Sequence, residues 1–137
     1  MKPRLRPLAW LRAVVTVCAA LGAACAWAQS WPARPVHIVV GFPAGNTLDV
    51  VARLAAEHLR GRLGQPFIVD NKPGANGLVA AAEVARAPAD GYTLLAINSS
   101  GLMINPLVYR KAGYRHSDFA PVTMFTSLPF FLVINPA

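Results

Sequence analysis

The chain has 137 residues, enough for one domain of ordinary size, and 55% of them are hydrophobic. Its 13 Lys and Arg residues against 6 Asp and Glu give a formal net charge of +7. These cations form no dense basic stripe interleaved with aromatic residues, which argues against a nucleic-acid-binding protein.

The first 28 residues have the layout of a secretory signal peptide, in which a basic start precedes an apolar run at residues 13–24. A small-x-small pattern ends at Ala28, so we predict export with cleavage there, which leaves a net charge of +3. The alternative, a membrane-spanning helix, needs about 20 apolar residues and finds fewer. Cys18 and Cys25 both lie in this leader, so no disulfide is expected, although a lipid anchor on Cys25 remains an alternative.

The first predicted elements of the mature chain are a strand, a loop and a helix. Residues 36–40 are almost all apolar and β-branched, which is typical of a strand buried on both faces of a parallel sheet. A helix follows at residues 47–62, with Asn46 or Thr47 as its N-cap and Asp49 in its first turn. Its apolar pattern comprises Val50, Val51, Leu54, Ala55 and Leu59.

The same alternation occurs twice more along the chain. It predicts a strand at residues 67–69, a polar loop at 70–77 and a helix at 78–87, and then a strand at 92–97 and a polar loop at 98–101. A helical stretch follows, which Asn105-Pro106 interrupts or restarts. Right-handed crossovers bring the three loops to one edge of one sheet. The predicted fold class is therefore α/β, with a mostly parallel sheet flanked by helices.

The character of the sequence changes beyond Tyr109. Residues 110–118 indicate a polar loop, and residues 121–125 and 130–134 indicate two further strands. No helix is predicted to cover the last run, so we expect a chain that has been cut short.

The loops at the carboxyl edge of the sheet are the predicted binding site. A helix start there offers unpaired backbone N–H groups, and such groups hold a carboxylate without a counter-ion. The candidate ligand-binding residues are Phe42, Pro43, Ala44, Gly45, Asn46, Thr47, Asp49, Asn98, Ser99 and Ser100. Two alternatives remain open, namely that Asp49 only caps its helix and that the loops are merely tight turns.

The sequence lacks the patterns of catalytic and cofactor sites. Gly41-x-x-x-Gly45 has neither the spacing of a dinucleotide site nor that of a phosphate loop. The three histidines, His37, His58 and His116, fall in separate elements without metal-ligand spacing. We therefore predict no enzyme, no cofactor and no metal. A small exported α/β hydrolase and a gene remnant without function are the alternatives.

Several short motifs, in a fixed order, resemble those of the tripartite tricarboxylate transporter receptors, also called the Bordetella uptake gene (Bug) family of periplasmic solute-binding proteins. They are Trp31-Pro32-x-Arg34-Pro35, Phe42-Pro43-Ala44-Gly45 with Asp49, Asn71-Lys72-Pro73-Gly74-Ala75, Ala87-Pro88-x-Asp90-Gly91-Tyr92, Ile104-Asn105-Pro106 and Asp118-Phe119-x-Pro121-Val122.

The resemblance implies a type II periplasmic binding protein whose two lobes close on a small carboxylate. The first and third loops would contribute contacts, the chain would be a monomer, and the membrane components of a tripartite transporter would be its partners. Family members are longer, so residues 29–137 would form the first half of the first lobe. The chain departs from the family pattern at Asn46, where a glycine is usual, and at Leu102, where a polar residue is usual.

Overall fold

The computed structural model describes residues 31–124, 126, 127, 133 and 134. The predicted signal peptide lies outside the described residues. So do Phe125 and residues 130–132 of the two strands predicted near the end of the chain.

Three parallel strands form the sheet, in the order β2-β1-β3. They are β1 (Val36–Val40), β2 (Phe67–Asn71) and β3 (Thr93–Ala96). Val40, at the end of β1, aligns with Asn71 on one side and with Ala96 on the other. The three carboxyl ends therefore share one edge, which confirms the predicted parallel α/β fold.

Helices follow each strand, as predicted. They are α1 (Thr47–Leu63), α2 (Leu78–Val84) and α3 (Asn105–Val108), with short 3-10 turns at Ala75–Gly77 and His116–Asp118 and a π-helical segment at Ser100–Ile104. α2 was predicted to reach residue 87 but ends at Val84, and the next N–H groups, those of Arg86 and Ala87, bond to carbonyls three residues back. Pro88 itself disfavours helical backbone only at residue 87. Pro106 lies in the first turn of α3, so the helix restarts at Asn105-Pro106.

The core is divided between the two faces of the sheet. α1 packs small side chains, Ala52 and Ala56, against Val36, Ile38 and Val40. On the opposite face, a second cluster forms beneath α2; it comprises Ala81, Ala112 and Tyr114, with Leu95 packed against it. The sheet therefore has an apolar layer on each side, as a buried parallel sheet requires.

The apolar residues that indicated α1 are not all on its buried face. Val50 and Leu54 are largely exposed, whereas the buried residues recur every four positions at Leu48, Ala52 and Ala56. This rotation of the helix turns Asp49 inward as well.

The prediction of a strand at residues 121–125 is wrong for residues 121–124, which have no regular structure. Val122 and Met124 are each 83% exposed, and a strand without a neighbour to pair with has little to stabilise it. Val133 and Ile134, the described part of the other predicted strand, are also outside regular structure and exposed. Within the described ranges, no helix is both long and apolar enough to span a membrane.

Candidate functional site

The first loop joins β1 to α1 and ends in a side-chain cap. The Asn46 backbone is extended, with φ −68° and ψ 155°, and its Oδ1 accepts a hydrogen bond from Leu48 N at 3.0 Å. Asn46, one of the two predicted candidates, is therefore the N-cap. Its backbone needs no glycine, which accounts for the departure from the family pattern at this position. Gly45, with φ +82°, supplies the left-handed turn instead.

Asp49 lies beneath the loop and organises it. Its Oδ2 accepts hydrogen bonds from Gly45 N at 2.8 Å and from Arg53 Nε at 3.1 Å. Its Oδ1 accepts from Asn71 Nδ2 at 2.9 Å, and the same Nδ2 donates to Phe42 O at 3.0 Å. Arg53 Nη2 donates to Asn71 Oδ1 at 2.8 Å, which closes the ring of contacts. We call Asp49, Arg53 and Asn71 the loop clamp.

The clamp carries a balanced pair of charges. The side chain of Asp49 is 3% exposed, and its hydrogen bonds from Arg53, Gly45 and Asn71 lower its pKa from 3.8 to about 2. The carboxylate is thus ionised at neutral pH and paired with Arg53 within the protein. The bond from Gly45 N ties Asp49 to the loop that precedes its helix.

The N–H and hydroxyl donors of the first loop fall into two groups, those bonded within the protein and those that are not. Gly45 N is taken by Asp49, and Asn46 N donates to Pro43 O at 3.3 Å. Within residues 31–124, no protein acceptor takes the backbone N–H of Ala44 or of Thr47, or the Thr47 hydroxyl. These groups stand at the positive end of α1, where an anion is favoured.

The third loop follows β3 and contains Asn98, Ser99 and Ser100. Asn98 Oδ1 accepts from Gly101 N at 2.7 Å, so this amide shapes the turn. Ser99 is exposed and Ser100 half-buried. The buried hydroxyl of Tyr114 donates to the carbonyl of Gly101 and supports the loop from below.

The second loop connects the other two. A Cβ added to Gly41 would lie 2.8 Å from Gly77 Cα, so the first and second loops touch through their backbones. Asn76 Nδ2 donates to Ser100 Oγ at 3.0 Å, which joins the second loop to the third. Asn105, at the start of α3, donates from Nδ2 to Ala75 O at 3.1 Å. The three loops therefore meet at the carboxyl edge of the sheet.

Sequence reasoning missed the roles of Arg53, Asn71 and Asn105. The signal available for Arg53 was its spacing of four residues from Asp49 on one helix. Asn71 and Asn105 act on loops about thirty residues away, with sequence separations of 29 and 30 for their bonds to Phe42 and Ala75, and no local pattern indicates such contacts.

The described residues supply dipoles rather than metal ligands at this edge. No group of three His, Cys, Asp or Glu side chains able to hold a metal ion occurs among them. His37 is half-exposed on the sheet, and its Nδ1 lies 2.6 Å from Asp70 Oδ2. The N–H and hydroxyl groups of the first and third loops can bind an anion by hydrogen bonds alone.

Comparison with known proteins gives matches over most of the chain. Residues 51–137 match the tripartite tricarboxylate transporter family receptor. A UPF0065 protein from Bordetella bronchiseptica is 43% identical over 120 residues, which cover 87% of this chain and 36% of that protein. The chain thus spans about a third of the length of this relative.

Solved structures agree with this match. MatC from Rhodopseudomonas palustris with bound malate is 39% identical with a TM-score of 0.62, over 67% of this chain and 32% of that one. An R. palustris protein with adipate is 46% identical with a TM-score of 0.59, over 64% and 29%. The periplasmic binding protein BugD is 42% identical with a TM-score of 0.57, over 63% and 28%.

The neighbours are solute-binding proteins, and the α/β fold with its parallel sheet is the one that they share with this chain. The match to the family covers well over half of the residues. The chain belongs to the tripartite tricarboxylate transporter receptor family of periplasmic solute-binding proteins.

Proposed function

We propose that this chain forms one wall of a periplasmic receptor that captures a small carboxylate and delivers it, as a monomer, to the membrane components of a tripartite transporter. The observation that carries the proposal is the meeting of the first and third loops at one sheet edge, with N–H and hydroxyl donors at the start of α1. A carboxylate accepts hydrogen bonds only, so these donors complement it.

Two structural neighbours support the ligand class. One contains malate and another contains adipate, dicarboxylates that share terminal carboxylates and differ in length. N–H and hydroxyl groups that surround one carboxylate of the ligand are compatible with either length, because the rest of the ligand lies beyond these two loops. The ligand class proposed for this chain is therefore a small di- or tricarboxylate.

The candidate residues divide into those proposed to touch the ligand and those proposed to hold the loops. Thr47, Ala44, Ser99 and Ser100 would donate hydrogen bonds to the ligand directly. Phe42 is half-buried against the core and shapes the loop. Pro43, Gly45, Asn46 and Asn98 hold the turns that carry the donors. Asp49 is engaged on both oxygens, so it serves the site by holding the first loop rather than by touching an anion.

Substitution of Thr47 tests the proposal. Thr47 is the first residue of α1, where proline is compatible with the helix, and the extended Asn46 suits a following proline. Thr47→Pro removes both the N–H and the hydroxyl, whereas Thr47→Val removes only the hydroxyl. Since a hydrogen bond to a charged group contributes about 1.5–3 kcal/mol, Thr47→Val should weaken binding about 10-fold and Thr47→Pro about 100-fold or more.

Calorimetric titration with malate, adipate and citrate would measure these losses. It is applied to the chain as it stands and to a chimera in which the remaining part of the B. bronchiseptica relative follows residue 137. The exposed Thr123 offers a matched control, because Thr123→Val should leave affinity unchanged. Equal affinities in Thr47→Pro and the unsubstituted chain would show that the first loop is only a turn.

We also propose that residues 1–28 direct export. The basic start and the small residues before Gln29 support cleavage after Ala28. Mass spectrometry of the periplasmic fraction should then find a chain beginning at Gln29. A cytoplasmic chain that retains Met1 would contradict this part of the proposal.

A further inference from the structure

Asn105 is a buried amide whose orientation is fixed by its neighbours. It is 4% exposed, and its Nδ2 lies 3.1 Å from Ala75 O and 3.2 Å from Asn76 O. Both neighbours are carbonyl oxygens, which only accept, so the nitrogen end of the amide must face them. Both of its hydrogens are then used, and Oδ1 remains as an acceptor.

That acceptor fixes the next amide in turn. Asn76 Nδ2 lies 3.4 Å from Asn105 Oδ1 and 3.0 Å from Ser100 Oγ. Because Asn105 presents oxygen, Asn76 must present its NH2 group, and its second hydrogen points at Ser100. The Ser100 oxygen therefore accepts, and its own hydrogen must be directed elsewhere.

We propose that Asn105 and Asn76 are positioning residues that fix the Ser100 hydroxyl as a hydrogen-bond donor to the carboxylate of the bound ligand. This inference rests on the proposed function. The consequence for the ligand is a preference for groups that accept hydrogen bonds. A hydroxyl that accepts from Asn76 has its hydrogen free for an ionised carboxylate, whereas a donating ligand group has only the second of its two lone pairs.

The backbone at Asn76 makes a sharp test possible. Its φ of 55° and ψ of 40° lie in the left-handed region, which glycine adopts without strain. Asn76→Gly therefore retains or improves the backbone while it removes the amide. Asn76→Asp keeps the shape but replaces the donor by a carboxylate, so that the Ser100 hydroxyl turns round to donate to residue 76.

The first measurement needs no ligand. In side-chain amide NMR spectra of the full 137-residue chain, the NH2 signals of Asn76 and Asn105 should be dispersed, and those of the buried Asn105 should also be protected from exchange. Ser100→Ala should move one Asn76 amide proton upfield, because that proton loses its acceptor. Random-coil signals for these amides, or an Asn76 pair unmoved by Ser100→Ala, would overturn the inference.

The second measurement is calorimetric titration with malate and adipate. Asn76→Gly should bind about 3- to 10-fold more weakly while its urea midpoint changes little, because relief of the left-handed backbone offsets the lost amide contacts. A merely structural role would lower the affinity and the midpoint together. Asn76→Asp should lose at least as much affinity as Ser100→Ala, because its carboxylate also repels that of the ligand. Asn76→Gly combined with Ser100→Ala, which adds no charge, should lose no more than Ser100→Ala alone. Ser117→Ala, at an exposed serine, should bind like the unsubstituted chain.

The outcomes separate the two proposals. If the unsubstituted chain binds neither acid and yet shows the NMR signature, the proposed function fails and the polarity of the Ser100 contact stands. If the unsubstituted chain binds and Asn76→Asp binds equally well, the positioning role of Asn76 is refuted while the receptor function stands.

Discussion

Gly41→Ala is the substitution whose effect on stability follows most directly from the structure. Gly41 follows β1, is buried, and donates from its backbone N to Ala96 O at 3.3 Å. Its φ is not among the positive values of the chain, so alanine would suit its backbone. The added Cβ, however, would lie 2.8 Å from Gly77 Cα.

The magnitude depends on what the new methyl group meets. A side chain could rotate away, but the Gly77 backbone can give way only if the whole second loop moves. We therefore take the upper part of the usual range for overpacking, about 3 kcal/mol. Alanine also lowers the conformational entropy of the unfolded chain, which offsets about 0.7 kcal/mol of this loss. The net loss is about 2 kcal/mol, or a urea midpoint lower by about 1 M.

Gly61→Ala is the matched control. Gly61 lies inside α1, and an added Cβ would have nothing within 4 Å. The same change should therefore raise stability there by about 0.5–1 kcal/mol, since alanine is the better helix former. Urea denaturation followed by circular dichroism measures both variants. If Gly41→Ala had an unchanged or higher midpoint, the close contact between the first and second loops would be refuted.

The loop clamp gives two more predictions. The pKa of Asp49 is lowered from 3.8 to about 2, chiefly by Arg53, so its ionised form stabilises the folded chain above about pH 4. That contribution is lost as the pH falls towards about 2. Urea midpoints measured from about pH 5 to about pH 2 should therefore fall more steeply for the unsubstituted chain than for Asp49→Asn. Parallel curves would show that this carboxylate is not linked to folding. Asn71→Ala removes the donor to Phe42 O and one of the donors to Asp49 Oδ1, which Arg53 Nη2 still contacts at 3.0 Å, and should cost about 1–3 kcal/mol of unfolding free energy. Lys72→Ala, which breaks an exposed pair with Glu83 at 3.4 Å, should cost at most about 1 kcal/mol. Equal losses in the two variants would contradict the clamp.

Local features of the sequence were sufficient for the main elements. The β-branched run at residues 36–40, the cap at Asn46 and the acidic residue at Asp49 each act within a few residues of their own position, and all three occur as predicted. The sharing of one sheet edge followed from the parallel orientation of the strands, which brings their carboxyl ends to the same side of the sheet.

Other features depended on distant contacts that no local pattern encodes. The rotation of α1, which exposes Leu54 and buries Ala52, is set by how closely the helix approaches the sheet. The strand predicted at residues 121–125 had suitable composition, but strand formation requires a pairing partner as well as β-prone residues. The partners of Asn71 and Asn105 could be identified only when their side chains were placed beside loops formed elsewhere in the chain.

Two networks of different chemistry hold the loops of the site. The first loop is held by an ionised pair, Asp49 and Arg53, together with one amide. The second and third loops are held by neutral amides and hydroxyls, centred on Asn76 and Asn105. Arg53 is already paired with Asp49, so the proposed carboxylate ligand would depend on hydrogen bonds from N–H and hydroxyl dipoles, whose positions the two networks set.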